Sequence, residues 1–150
     1  MFVVIHEEGN CGCENDPFEY RILGIFNTKD EAELCVNKKE EENEILKEKR
    51  REYLSKSYEE RKKSNEYYYH FYETYIEEIE TPIIPVKGIT LYLTIDSYER
   101  GHNFESIEGV FMSEEDAKLF VTKREKEFRI KHNIPDEKQI EVLYIFPFTP

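Results

Sequence analysis

A pattern of fifteen residues occurs twice in this chain, and a chain so built folds as two copies of one unit. Residues 22–36 align without a gap on residues 107–121, with Ile22 falling on Ile107 and the same offset of 85 throughout. Six positions are identical: Ile22/Ile107, Gly24/Gly109, Phe26/Phe111, Ala32/Ala117, Leu34/Leu119 and Val36/Val121. Lys38, Glu40 and Glu42 carry the match on to Lys123, Glu125 and Glu127.

Each copy reads the same way. Residues 22–26 and 107–111 end apolar strands, and the glycine inside each marks a bulge or a close backbone approach. Thr28 and Ser113 follow as helix N-caps, accepting from the free amides of the first turn. Glu31 and Asp116 stand at the capping-box position, Asp being the weaker version. Ala32, Cys35 and Val36 recur at helical spacing, as do Ala117, Phe120, Val121 and Phe128, and form the face that packs on a sheet. Strands over 2–5 and 89–98 precede these units, and strands over 71–79 and 140–146 follow them, the last ended by Pro147. The expected fold is α+β: two tandem ββαβ repeats related by a pseudo-twofold, residues 1–80 and 89–150. A Pro/Gly connector at 81–88 joins them, and they share a continuous or face-to-face sheet.

The copies differ in helix length. The second helix runs about 113–132 and stops before Asn133 and Pro135. The first copy has neither Pro nor Gly between Asp30 and Thr81, so the spacing predicts one long charged helix over about 28–64, an extended arm. Ile45, Leu46, Tyr53, Leu54 and Tyr58 stripe it thinly. A stripe so sparse calls for burial by a partner, which gives a homodimer through the long helix or through a sheet edge. Six tyrosines then fall between Tyr58 and Tyr75. The plainer reading makes them strand residues packed on a helix. The functional reading takes Tyr67, Tyr69, Tyr72 and Tyr75 as anchors of a protein-binding surface with Glu77 and Glu78 at its rim.

Charge narrows the partner. The chain carries 21 basic and 33 acidic residues, a formal charge of −12. Residues 38–63 hold ten basic and eight acidic side chains, so the remainder stands at −14. Such a surface repels phosphate backbones, which argues against direct nucleic-acid binding, and suits a protein with a basic surface. No apolar run reaches the roughly 18 residues of a membrane span. Residues 2–5 are too short an apolar run for a secretory signal. Three cysteines, Cys11, Cys13 and Cys35, form an odd set that suits a reducing compartment. The expected location is the cytoplasm.

Catalytic signatures are missing from the sequence. It has no Walker A loop, no G-x-G-x-x-G and no G-x-S-x-G, and His6, His70, His102 and His132 form no H-x-x-x-H pair. No catalytic residue, metal or cofactor is assigned. Two weaker constellations remain: Cys11 and Cys13 with His6 as the start of a zinc site, and Asp96, Glu99, His102 and Glu105 after the longest strand.

The repeated element, Ile-x-Gly-Ile/Val-Phe-x-Ser/Thr followed by an acidic turn and Ala, resembles one found in small phage and bacterial proteins of uncharacterised function. Ile22, Gly24, Phe26, Thr28 and Ala32, with their second-copy counterparts, carry the resemblance. All are cap, turn or core positions, and the long arm departs from the pattern. The resemblance implies the fold and, through a phage origin, a factor that binds and inhibits a host defence or regulatory protein in the host cytoplasm. The expected function is therefore a non-enzymatic acidic binding protein. The alternatives are a small-ligand protein that sequesters a nucleotide signal, and a small enzyme or metal-binding protein using residues 96–105 or Cys11 and Cys13.

Overall fold

The structure is a computed structural model of the 150-residue chain. It describes residues 1–9, 18–64, 68, 71–96, 106–138, 140 and 142–150. The chain is α+β. Strands β1 (Phe2–Gly9) and β2 (Phe18–Phe26) lead into helices α1 (Lys29–Ser55) and α2 (Tyr58–Lys63) and strand β3 (Phe71–Glu78). Strands β4 (Leu91–Asp96) and β5 (Ile107–Phe111), helix α3 (Glu114–His132) and strand β6 (Leu143–Phe148) follow. Two three-stranded antiparallel sheets result, in the orders β2-β1-β3 and β5-β4-β6, so the first strand of each unit is central.

The sheets are separate and meet through their inner faces. Alternation along a strand puts every second side chain on one face. Val3 and Ile5 of β1, with Ile25 and Ile79, join Leu91, Leu93 and Ile95 of β4, with Ile107 and Val110, in one buried cluster. The opposite faces carry the helices: α1 packs on β1, β2 and β3, and α3 on β4, β5 and β6. The layers are thus helix, sheet, sheet, helix. Of the two arrangements expected, the continuous sheet does not form. The connector contributes Ile83 to the core rim, and Gly88 turns it with a positive φ of 82°, its N–H donating to the Pro150 carbonyl.

The repeat signature has a physical cause in both copies. Register slips by one residue between Val4 and Ile5, where Leu23 bulges, and between Thr94 and Ile95, where Glu108 bulges. In each strand a phenylalanine two residues after the glycine folds its ring back over the bare Cα. A Cβ on Gly24 would stand 2.5 Å from Phe26 Cζ, and one on Gly109 2.8 Å from Phe111 Cε2. The helix starts also follow the pattern. Thr28 and Glu31 close a full capping box, while at Ser113 the shorter Asp116 is bonded by the serine hydroxyl. Asn133 ends α3 in the left-handed conformation (φ 52°).

The long arm is the main correction. The chain does not stay helical to residue 64: Lys56 and Ser57 are extended, with ψ of 152° and 158°, and α2 begins afresh. The break needs no Pro or Gly, because Ser57 and Glu60 form a second capping box that favours starting a helix over continuing one. The sheet-facing stripe of α1 runs on through Leu46 to Tyr53, whose ring lies 5.7 Å from that of Tyr68 on the returning chain. Leu46 and Tyr53 are thus half-buried against the chain's own body, while Ile45, Leu54 and Tyr58 stay exposed. Strand β6 also differs, since Pro147 lies inside it, opposite Tyr92. Strand β6 is an edge, where a missing N–H costs no ladder bond.

Gly24→Ala and Gly109→Ala should each cost about 1–3 kcal/mol by forcing the phenylalanine ring outward. In a Phe26→Leu background the penalty of Gly24→Ala should shrink, and a double-mutant cycle by urea denaturation measures the coupling.

Candidate functional site

The predicted tyrosine surface falls on β3, and alternation divides it. Tyr67 and Tyr69 lie outside the described residues. Tyr72 is 6% exposed and packs inside the chain, as strand residues under a helix do. Tyr75 is half-buried at the rim of the inter-sheet core, and its hydroxyl donates to Glu7 Oε1 at 2.5 Å. Burial, that hydrogen bond and the nearby carboxylates push the Tyr75 hydroxyl well above its ordinary range. Burial raises the Glu7 carboxyl, partly offset by the Tyr75 bond. Glu77 is no rim residue either: its Oε1 accepts from the Ile107 N–H at 2.8 Å, tying β3 to β5, and burial raises its carboxyl. Glu78 is exposed, as are Glu73 and Glu80 beside it.

The sequence did not point to the space between each helix and its sheet, where the two repeats differ. In the first repeat it is filled by a buried polar cluster. His6 is 1% exposed and Asn43 fully buried, with the half-buried Thr74 beside them. His6 Nδ1 lies 3.0 Å from the Glu73 carbonyl oxygen and 3.1 Å from Thr74 Oγ1. The carbonyl only accepts, so Nδ1 carries the hydrogen. Asn43 Nδ2 donates to Glu40 Oε1 (2.8 Å) and Thr74 Oγ1 (3.1 Å), while Asn43 Oδ1 is buried without a partner among the described residues. Burial, reinforced by Lys39, holds the His6 pKa below its usual value against the opposing pull of Glu8, 3.4 Å from Nε2.

In the second repeat the same positions carry other chemistry. The offset of 85 puts Phe128 where Asn43 stands. Strand register puts Asp96 at the place of His6 and Leu143 at that of Thr74. An open cavity of about 230 Å³ lies here. Phe128, Val142 and Leu143 form its apolar floor, and Asp96, Arg124, Glu127 and Lys131 its charged rim. Arg124 is held by Glu108 at 3.0 Å and Glu127 at 3.6 Å, and the Phe128 ring stacks on His132 with centroids 4.1 Å apart. Carrying the repeat alignment one residue past Glu42 and Glu127 would have exposed the Asn43/Phe128 exchange.

Of the other expected constellations, Glu99, His102 and Glu105 lie outside the described residues, as do Cys11 and Cys13. Asp96 is described and lines the cavity. Cys35 is half-buried on α1, and burial raises its thiol. Among the described residues no group of three His, Cys, Asp or Glu side chains is placed to hold a metal, and no helix is long and apolar enough to cross a membrane. The chain matches no protein-family model, no curated protein and no solved structure.

Tyr72→Ala should cost about 3 kcal/mol or more, the scale for emptying a buried aromatic site, read as a lower denaturant midpoint. His6 gives a pH dependence of definite sign. Its folded-state pKa lies below the unfolded value, so its contribution to stability is full above about pH 6.5 and falls away on acidification from there towards the folded pKa. His6→Gln should flatten the part of the Tm-against-pH curve below about pH 6.5 that this group supplies.

Proposed function

We propose that this protein is a non-enzymatic binding protein that occupies a basic surface of another protein through its acidic edge strand β3. The observation that carries this reading is the placement of charge. Among the described residues β3 pairs with β1 on one side only, and it bears Glu73, Glu77 and Glu78 with no basic residue along its length. Glu73 and Glu78 are exposed, and Glu80 extends the row. An edge strand offers open backbone donors and acceptors to an added strand. Its carboxylates select a partner segment rich in Lys and Arg and speed its arrival. Occupying such a surface would block whatever acidic ligand it normally binds, so inhibition by occlusion is the mode of action that follows. The anchoring role moves from the tyrosines to the strand itself, because Tyr72 and Tyr75 are engaged inside the chain.

The test compares the wild-type chain with the Glu73→Gln/Glu78→Gln/Glu80→Gln variant as immobilised baits in bacterial lysate. The expected result is a stoichiometric protein that the wild type captures, that the variant captures at least about tenfold less well, and that is released as salt shortens the screening length below about 10 Å. A protein held equally by both baits, or none held by the wild type, would overturn the reading. The variant's melting temperature serves as the control for folding.

A further inference from the structure

We propose that the protein forms a twofold homodimer through the outward face of α1, with α1 of a second copy lying antiparallel against it. The starting observation is an apolar pair that the core does not use. Leu34 and Ile45 stand eleven residues apart, about three helical turns, and so on one face of α1. The offset of 85 sets Leu119 and Ile130 at the same places on α3. All four side chains are more than half exposed. The buried residues of the two helices, Ala32 and Asn43 on α1 and Ala117 and Phe128 on α3, lie on the opposite face, against the sheets. An apolar side chain held outward in both copies serves neither sheet. The face differs from the stripe read from sequence spacing, since Leu46 and Tyr53 of that stripe turn towards the body of the chain.

Charge selects the occupant. Between the apolar pair α1 carries Lys38 and Glu41, both exposed, which completes the 4-3-4 spacing of a two-helix seam. The ion pairs along α1 join Lys29 to Glu33, Lys39 to Glu42, and Lys47 to Glu40 and Glu44, and leave Lys38 and Glu41 out. Let α1 meet itself antiparallel, with Leu34 over Ile45 of the second copy. Lys38 then faces Glu41 of the second copy, and the twofold repeats the pair. Glu31 meets Glu48 beyond each apolar end, and that repulsion limits the seam to these four positions. Parallel pairing instead sets Lys38 on Lys38 and Glu41 on Glu41. Helix α3 cannot take this part, because Lys126 stands where α1 has Glu41, and its antiparallel pairing sets Lys123 against Lys126 twice. Pairing α1 with α3 sets Lys38 against a lysine in either direction. Antiparallel α1 on α1 alone makes every charged contact between the apolar ends attractive, and it closes as a twofold dimer, the commonest form of soluble oligomer. Four residues a side make a small seam, so its dissociation constant falls in the range of about 10 μM to 1 mM. The seam uses no residue of β3, and the inference does not depend on the partner proposed above.

The experiment is sedimentation equilibrium of the full chain from about 10 μM to about 1 mM. The expected result is a reversible monomer–dimer equilibrium. Glu41→Lys and Lys38→Glu should each weaken the dimer at least about tenfold, because each turns two attractive pairs into repulsive ones. An equimolar mixture of the two variants should associate again, since the lysine pair of one then faces the glutamate pair of the other. Leu34→Ser should weaken the dimer, and Leu119→Ser on α3 should leave it unchanged. Lys38 and Glu41 are exposed within the helix, so both charge variants keep the fold, with the melting temperature as the control. The recovery in the mixture separates loss of the seam from loss of folding. A monomer up to about 1 mM, a dimer that Glu41→Lys leaves intact, no recovery in the mixture, or assembly beyond the dimer would overturn the inference.

Discussion

A three-stranded sheet with a helix on one face leaves its other face wet, and here each repeat covers the other's. Val3 and Ile5 on one side and Leu91, Leu93 and Ile95 on the other are at most 1% exposed, and they become so only because the two sheets are pressed together. Burying each such side chain is worth about 1.5–3 kcal/mol, and most of that would be lost to either repeat standing alone. The duplication is thus a condition of stability as well as a record of how the chain is built. The Glu77 carboxylate bonded to the Ile107 N–H sits on this seam, and so does Tyr75 with Glu7. Polar residues that look like a surface in the sequence are drawn into the junction.

With the inner faces committed to each other, the outer faces are where the copies diverge. Each helix packs on all three strands of its own sheet, and each begins at a Thr or Ser cap in the equivalent position. Beneath α1 the chain spends a histidine, a threonine and an asparagine on a closed hydrogen-bonded cluster, in which one amide oxygen has no partner among the described residues. Beneath α3 it places a phenylalanine and a leucine under a charged rim and leaves a cavity. The edge strands diverge as well. Strand β3 carries three glutamates, whereas its counterpart β6 is apolar and blunted by Pro147. Edges need protection from unwanted pairing, and charge and proline are two ways of giving it.

Local chemistry made much of the fold legible. Thr28 with Glu31 and Ser113 with Asp116 declared the helix starts, because a cap is decided within four residues. Gly24 and Gly109 declared the bulges, because a bare Cα inside a strand needs a reason, and the following phenylalanine supplies it. The same logic explains the break at Ser57: its capping box starts a new helix although neither Pro nor Gly interrupts the chain there. Local chemistry does not place the tyrosines. Tyr72 and Tyr75 lie three residues apart on one strand and so on opposite faces, one beneath the helix and one at the sheet junction. That assignment depends on which face of the sheet the helix covers.

The sequence by itself determined the α+β class, the duplication, the caps, the bulges and the acidic balance, since all follow from interactions within a few residues or from a simple count. Only the tertiary structure decided that the sheets meet face to face, that Tyr72 and Glu77 serve the interior, and that His6 and Asp96 occupy the same place in their repeats with opposite consequences. These depend on contacts between residues such as His6 and Thr74 or Glu77 and Ile107, which lie far apart along the chain. Such pairs are set by strand register and by which face packs on which. A change of one residue in register would send every one of those side chains to the other side.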